Sequence, residues 1–271
     1  MKTKICSTSY MIASVIILLA CSKQQEKQEV VVWKLVNNYY SSTMKNIELE
    51  RQEIDNLTNL LKEGYNPNLY IKRGFYYLSL YQIEEAKNDF STVLEVDSNN
   101  TAALTGLALY YGKIYNSDGF NFCVNKLFSI KPDEVAYFLR ARTHSDIDSK
   151  LNDLDSSIQL NQDFHFAYIT KATVLEINDS LKSALKVLDI LASKNPDSET
   201  LYSCYIERIN INKKLNNYEE VLSDLSSLAE LESWSPGYLL ERKIEVYKKL
   251  NDDEMVKKLE KELNLVKNKE K

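Results

Sequence analysis

The feature that most constrains this chain is a period. From Pro67 to Asn100 it reads PNLYIKRGFYYLSLYQIEEAKNDFSTVLEVDSNN, two stretches with apolar residues every three or four positions, split at Tyr81-Gln82. That spacing puts one apolar stripe on each of two helices. Thirty-four residues on, at Thr101, the pattern opens again. A helix pair of this size cannot bury its apolar face alone, so a repeated one predicts an array in which neighbours cover each other. Composition agrees, because 6 Gly and 4 Pro in 271 residues are few for the many tight turns of a β protein. With 44% hydrophobic and 27% charged residues, a chain of this length has enough apolar surface for a core.

The segment 67–100 closely resembles a tetratricopeptide repeat (TPR). Tyr70 falls at position 4, Gly74 at 8, Tyr77 at 11, Ala86 at 20, Phe90 at 24 and Val93 at 27. Small Gly74 and Ala86 suit the closest approach of the two helices, and the large residues fill the space toward the next pair. The copy at 165–198 matches nearly as well, through Tyr168, Ala172, Leu175, Ala184, Leu188, Leu191 and Pro196. The resemblance implies an all-α, right-handed α-solenoid of stacked helix-turn-helix repeats over 67–271, with repeats at about 67–100, 101–134, 134–164, 165–198, 199–235 and 237–268. In the second copy Phe120 stands where a small residue is expected, predicting looser or shifted packing. The third is about three residues short, read as a tighter turn around Ser145 to Ser149, and the first helix of the fifth fits with a slipped register. Residues 31–66 read as N-terminal helices that form a degenerate repeat.

The N-terminus is of another kind. Lys2 and Lys4 precede the apolar run MIASVIILLA and then Cys21. The run is too short to span a bilayer, and residues 1–20 read as a signal peptide. Leu18-Leu19-Ala20-Cys21 resembles the lipobox of bacterial lipoproteins, which implies cleavage before Cys21 and acyl chains such as palmitate upon it. Residues 21–30, rich in Lys, Gln and Glu, then serve as a polar tether. Several acyl chains hold a protein stably at a membrane surface without a spanning helix. In family terms Ser22 after the cysteine implies the outer membrane, with the face left open.

Of the 4 cysteines, Cys123 and Cys204 remain for the folded part. The repeats place them too far apart for a bridge, so both are expected as buried free thiols. Removal of the signal takes away two lysines and no acid, so the mature chain is more acidic than the net −5 of the whole. That balance, and the lack of any basic patch, argues against nucleic acid as a partner. His144 and His165 are the only histidines, lack metal-ligand spacing and are expected at the surface. No phosphate loop, dinucleotide glycine pattern, HExxH or GxSxG occurs, so neither cofactor, metal nor catalysis is expected. Most of the 18 tyrosines fall on packing positions. Asp179-Ser180-Leu181 resembles the short O-glycan acceptor of some Bacteroidetes and is expected in an exposed turn.

In the TPR family, first helices line a concave groove. The resemblance places Ile71, Phe75, Leu78, Thr105, Leu109, Phe138, Arg142, Ile169, Thr173 and Glu176 in it, apolar in its N-terminal half. Ile71 and Phe75 stand where chaperone-binding members carry Lys and Asn, so that subfamily's carboxylate clamp is absent. An apolar groove suits an amphipathic helix or an apolar peptide. Alternatively, the same side chains pack against a terminal helix of their own chain. The expected function is an envelope-anchored scaffold or adaptor for another envelope protein. A surface lipoprotein that captures glycans or peptides is the alternative.

Overall fold

The computed structural model describes residues 32–36, 39, 47–231 and 235–269. The signal peptide, Cys21 and the tether lie outside them. The described chain is all-α, a right-handed stack of helix-turn-helix repeats, and divides into two compact units with the boundary between Thr143 and His144.

In the first unit, a short helical stretch at 32–36 precedes α1 (Ile47–Leu61), α2 (Pro67–Ser79), α3 (Ile83–Val96), α4 (Thr101–Lys113), α5 (Ser117–Ile130) and α6 (Glu134–Ala141). The second holds α7 (Ile147–Leu160), α8 (His165–Ile177), α9 (Leu181–Ser193), α10 (Ser198–Leu215), α11 (Tyr218–Glu230), α12 (Pro236–Lys249) and α13 (Asp253–Lys269). Within each unit consecutive helices pack against each other, and α2 also touches α4 as α8 touches α10.

The caps are written in the sequence. Asn66 accepts a hydrogen bond from the Asn68 amide with Pro67 at the first helical position, and Asn100, Asn116, Asp133, Asp146 and Asp197 each accept one from an amide two or three residues into their helices. Such caps satisfy amides that a helix start leaves open. Five hairpin turns share one closure. Tyr81, Tyr115, Asp179, Asn216 and Asn251 take left-handed backbone (φ 56 to 61°). The next residue's amide then returns to a carbonyl of the last helical turn, as Gln82 does to Tyr77 and Asn116 to Tyr111, both at 2.9 Å.

The third repeat differs from the expectation. Its shortening comes out of α6, which has only 8 residues, rather than out of the turn, which runs from 142 to 146. In the fifth repeat the slip is an extra helical turn at the start of α10, an 18-residue helix opened by the Asp197 cap.

Phe90 organises the first unit. Its fully buried ring lies so close to α2 and α4 that a Cβ on Gly74 would stand 2.7 Å from it and one on Gly106 only 2.4 Å. Glycine is required at both places by closeness rather than by backbone angle. In the second copy Gly119, one position before Phe120, is the small residue, since a Cβ there would meet the Tyr111 ring at 2.5 Å. Phe120 turns toward Gly112 and Arg142. In the second unit Tyr168, Ile169, Ala172, Ala184, Leu188, Leu191, Cys204 and Ile211 form one core cluster, and Ile209, Val221, Leu225, Leu228, Leu239 and Val246 form the next.

Candidate functional site: the first-helix faces and the turn cavity

The ten residues that the sequence places in a groove fall into two environments. Ile71, Phe75 and Leu78 on α2, Thr105 and Leu109 on α4 and Phe138 on α6 are all buried, none more than 4% exposed. Phe75 packs edge-on to Phe90 with ring centroids 5.5 Å apart. Val32 and Val36 are buried in the same unit, and the Lys113 ammonium at the end of α4 lies 5.1 Å from the Tyr39 ring. The remaining positions are more polar. Arg142 is exposed, Thr173 and Glu176 are half-buried, and Ile169 is buried at 9%.

Around Glu176 the second unit is charged. Its carboxylate pairs with Lys214 at 2.9 Å, and beside them Glu207 of α10 is half-buried. Burial, then the Glu176 charge, pushes the Glu207 carboxyl above its usual range, with Lys214 opposing. Thr173 donates its hydroxyl to the Ile169 carbonyl at 3.0 Å.

The residues assigned to repeat packing are mostly internal: Gly74, Ala86, Phe90, Tyr168, Ala172 and Ala184 are buried. Tyr70 and Tyr77 are half-buried and hold Arg73 between their rings, 5.4 and 5.7 Å from the guanidinium.

That arginine belongs to a feature the sequence reading missed. Its Nε donates to Asp89 Oδ2 at 2.9 Å and its Nη2 to Asp89 Oδ1 at 2.6 Å, while Nη1 reaches Thr58 of α1 at 3.0 Å. Arg208 repeats the arrangement in the second unit, with Nε donating to Asp224 Oδ2 at 3.2 Å and Nη1 to Asp189. Both pairs span 16 residues, which is the signal that would have revealed them: a cation on the first helix and an acid 16 further on. Burial raises both carboxyls above their usual range while the arginines pull them down.

The histidines are not the surface residues expected. His144 Nε2 lies 2.8 Å from Asp153, which is buried, and His165 is half-buried, 3.4 Å from the Thr200 hydroxyl. Neither had a signal in spacing. Cys123 and Cys204 are buried and free, as expected, with their thiols pushed up by burial to about 11 and about 12. Asp179 and Ser180 are exposed in their turn. Among the described residues, no three of His, Cys, Asp and Glu are grouped to hold a metal ion, and no helix is long and apolar enough to cross a membrane.

One open cavity of about 400 Å³ lies in the first unit, where the end of α4, the turn at Tyr115, the start of α5 and the residues after α6 meet. The Arg142 guanidinium stands 5.3 Å over the Phe120 ring at its wall. Tyr115 beside it is 94% exposed.

No protein-family model matches the chain, and no curated protein does. Its likeness is to solved structures. The APC/C hetero-tetramer Cut9–Hcn1 is similar with a TM-score of 0.60 at 16% identity over 86% of this chain, which spans only 45% of that one. PilW, a widely conserved type IV pilus biogenesis factor, gives 0.58 at 14% identity, covering 73% of this chain and 92% of PilW. A tetratricopeptide repeat protein from Parabacteroides merdae gives 0.56 at 15% identity, covering 87% and 96%. At such identities the likeness defines the fold, a TPR-like stack of helix hairpins.

Proposed function

We propose that the protein is a lipid-anchored, non-enzymatic scaffold of the bacterial cell envelope that holds a peptide or helix of another envelope protein along the first helices of its repeats. The observation that carries this reading is the contact between successive first helices, α2 with α4 and α8 with α10, which gives each unit a face shared by successive repeats. Faces of this kind are what stacked-repeat proteins offer to extended ligands. Ile71, Phe75, Leu78, Thr105, Leu109, Phe138 and Ile169 are buried, so the contacts assigned to a partner are Arg142, Thr173 and Glu176. A biogenesis role has a precedent in the similar fold of PilW, described as a type IV pilus biogenesis factor. Acylation of Cys21 and an outer-membrane location belong to the same reading and rest on Leu18-Leu19-Ala20-Cys21-Ser22.

Two measurements test it in the full chain expressed in its host. A photo-crosslinking amino acid at Thr173 or Glu176 is expected to capture another envelope protein. If neither position gives an adduct beyond that from a crosslinker at exposed Glu262, the partner reading fails. Metabolic labelling with an alkyne fatty acid is expected to mark the protein and to vanish in Cys21→Ala; label retained in that variant removes the anchor.

A further inference from the structure

The apolar face of the first helices is closed in the first unit, while the same face is half open in the second. Ile71, Phe75 and Leu78 on α2 and Thr105 and Leu109 on α4 are buried. Thr173 and Glu176 on α8, which stand in their repeat where Phe75 and Leu78 stand in theirs, are half-buried. Neighbouring first helices touch in both units, so that contact does not make the difference. Nor do the polar contacts of α1 reach the buried stripe. They join Thr58 to Arg73 at 3.0 Å, Glu53 to Lys72 at 3.6 Å and Glu50 to Ser79 at 2.6 Å. Those positions lie about 100° round α2 from Ile71, Phe75 and Leu78.

Among the described residues, a matching face precedes α1. Val32, Val36 and Tyr39 are helical and fall at i, i+4 and i+7, the spacing of the anchors that a helix lays into a groove. Val36 is fully buried and Val32 nearly so, and a helical stretch of five residues, 32–36, has too little surface of its own to bury them. Tyr39 fixes where the stretch lies. Thr105, Leu109 and Lys113 follow at four-residue steps along one face of α4. The Lys113 ammonium, at the end of that row, stands 5.1 Å from the Tyr39 ring and 3.5 Å from the ring of Tyr81, so it is held between the segment and the array. We propose that Val32, Val36 and Tyr39 are a built-in occupant of the first unit's face, laid as a short amphipathic helix over α2 and α4 where an apolar helix of another protein would otherwise lie. A segment joined to its site by a short stretch of chain has an effective concentration on the order of millimolar. A rival therefore enters only with the same pattern, aliphatic at i and i+4 and aromatic at i+7. The inference goes beyond the partner reading and stands without it.

The test places a diazirine-bearing leucine analogue at residue 36 of the full chain and maps its light-induced adduct by mass spectrometry. Insertion is expected within 67–79 or 101–113 of the same molecule. Adducts confined to other helices, or reaction with water alone, would overturn the proposal. So would adducts joining two differently isotope-labelled chains, which make the occupant a second copy. A second measurement uses Val32→Asp with Val36→Asp, which puts charge on the buried side of the segment. A fluorescein-labelled peptide of residues 30–40 (VVVWKLVNNYY) is expected to bind this variant at least about tenfold more tightly than wild type, whose own segment excludes it. The same peptide with Asp in place of Val32 and Val36 is expected to bind neither protein. Equal binding to variant and wild type contradicts the proposal when circular dichroism shows the variant helical, and the adduct map decides alone when it does not. Crosslinks from Thr173 or Glu176 report on the second unit, so either reading can fail while the other stands.

Discussion

Phe90 fills the space left by two missing side chains. A methyl group added at Gly106 raises helix propensity by about 1 kcal/mol, yet here it would stand 2.4 Å from a ring that has no free volume to retreat into. Overpacking of this kind costs about 1–3 kcal/mol. Gly106→Ala is therefore expected to destabilise the protein in urea titration, whereas Gly112→Ala, with only ordinary contacts, is expected to gain about 0.5–1 kcal/mol. A second residue-scale effect concerns pH. Burial lowers the affinity of His165 for its proton below that of an exposed histidine, against the charges of Asp197 and Asp163, which raise it, while Lys194 lowers it further. The unfolded chain binds that proton more readily, so the stability tied to neutral His165 is complete above the ordinary histidine value of 6.5 and is lost as pH falls below it. Wild type should lose more melting temperature than His165→Gln between about pH 7 and 5; parallel losses would refute this.

At the scale of helices, the ion pairs tie hairpins together across the stack. Arg73 links α2 to α3 through Asp89 and to α1 through Thr58, and Arg208 links α10 to α11 through Asp224 and to α9 through Asp189. The side chains of Arg73 and Asp89 are 14% and 6% exposed, so deleting one leaves the other charged and poorly solvated. Asp89→Ala is expected to cost about 3–5 kcal/mol, whereas Arg73→Met with Asp89→Leu together should fall near wild type. Denaturant titration of the three chains checks it, and an additive double variant would contradict it. These pairs also show where sequence reading stopped. Apolar stripes and the 34-residue period made most of the helices legible. The periodic pairs were invisible because a polar residue on an amphipathic helix reads as solvated until its partner 16 positions away is known. The shortened α6 was misplaced for a related reason: a deletion is visible as a change of length, while the helix end it removes depends on where Asp146 caps the next helix.

At the scale of the molecule, the array was legible because its period is independent of any single residue. The candidate site was not. Family positions pointed Phe75 and Phe138 at a groove, while burial decides whether such a face is open, and burial depends on parts of the chain distant in sequence. The thiols are better specified by the fold. Cys123 lies in one unit and Cys204 in the other, both buried, with their thiolates disfavoured until about pH 11 and about 12. A disulfide reagent at about pH 8 is expected to find neither in the native protein and both in denaturant. Rapid native reaction would contradict the burial.

The Phe90 wedge also fixes the order of the repeats. Phe90 is residue 24 of its repeat, and Gly106 is residue 6 of the next; in the following pair the same places hold the smaller Val124 and the larger Leu139, both buried. A copy of repeat 67–100 set before 134–164 would bring phenylalanine at residue 24 next to a repeat that carries Leu139, and not glycine, at residue 6. The modules that look interchangeable in outline are thus keyed to their neighbours.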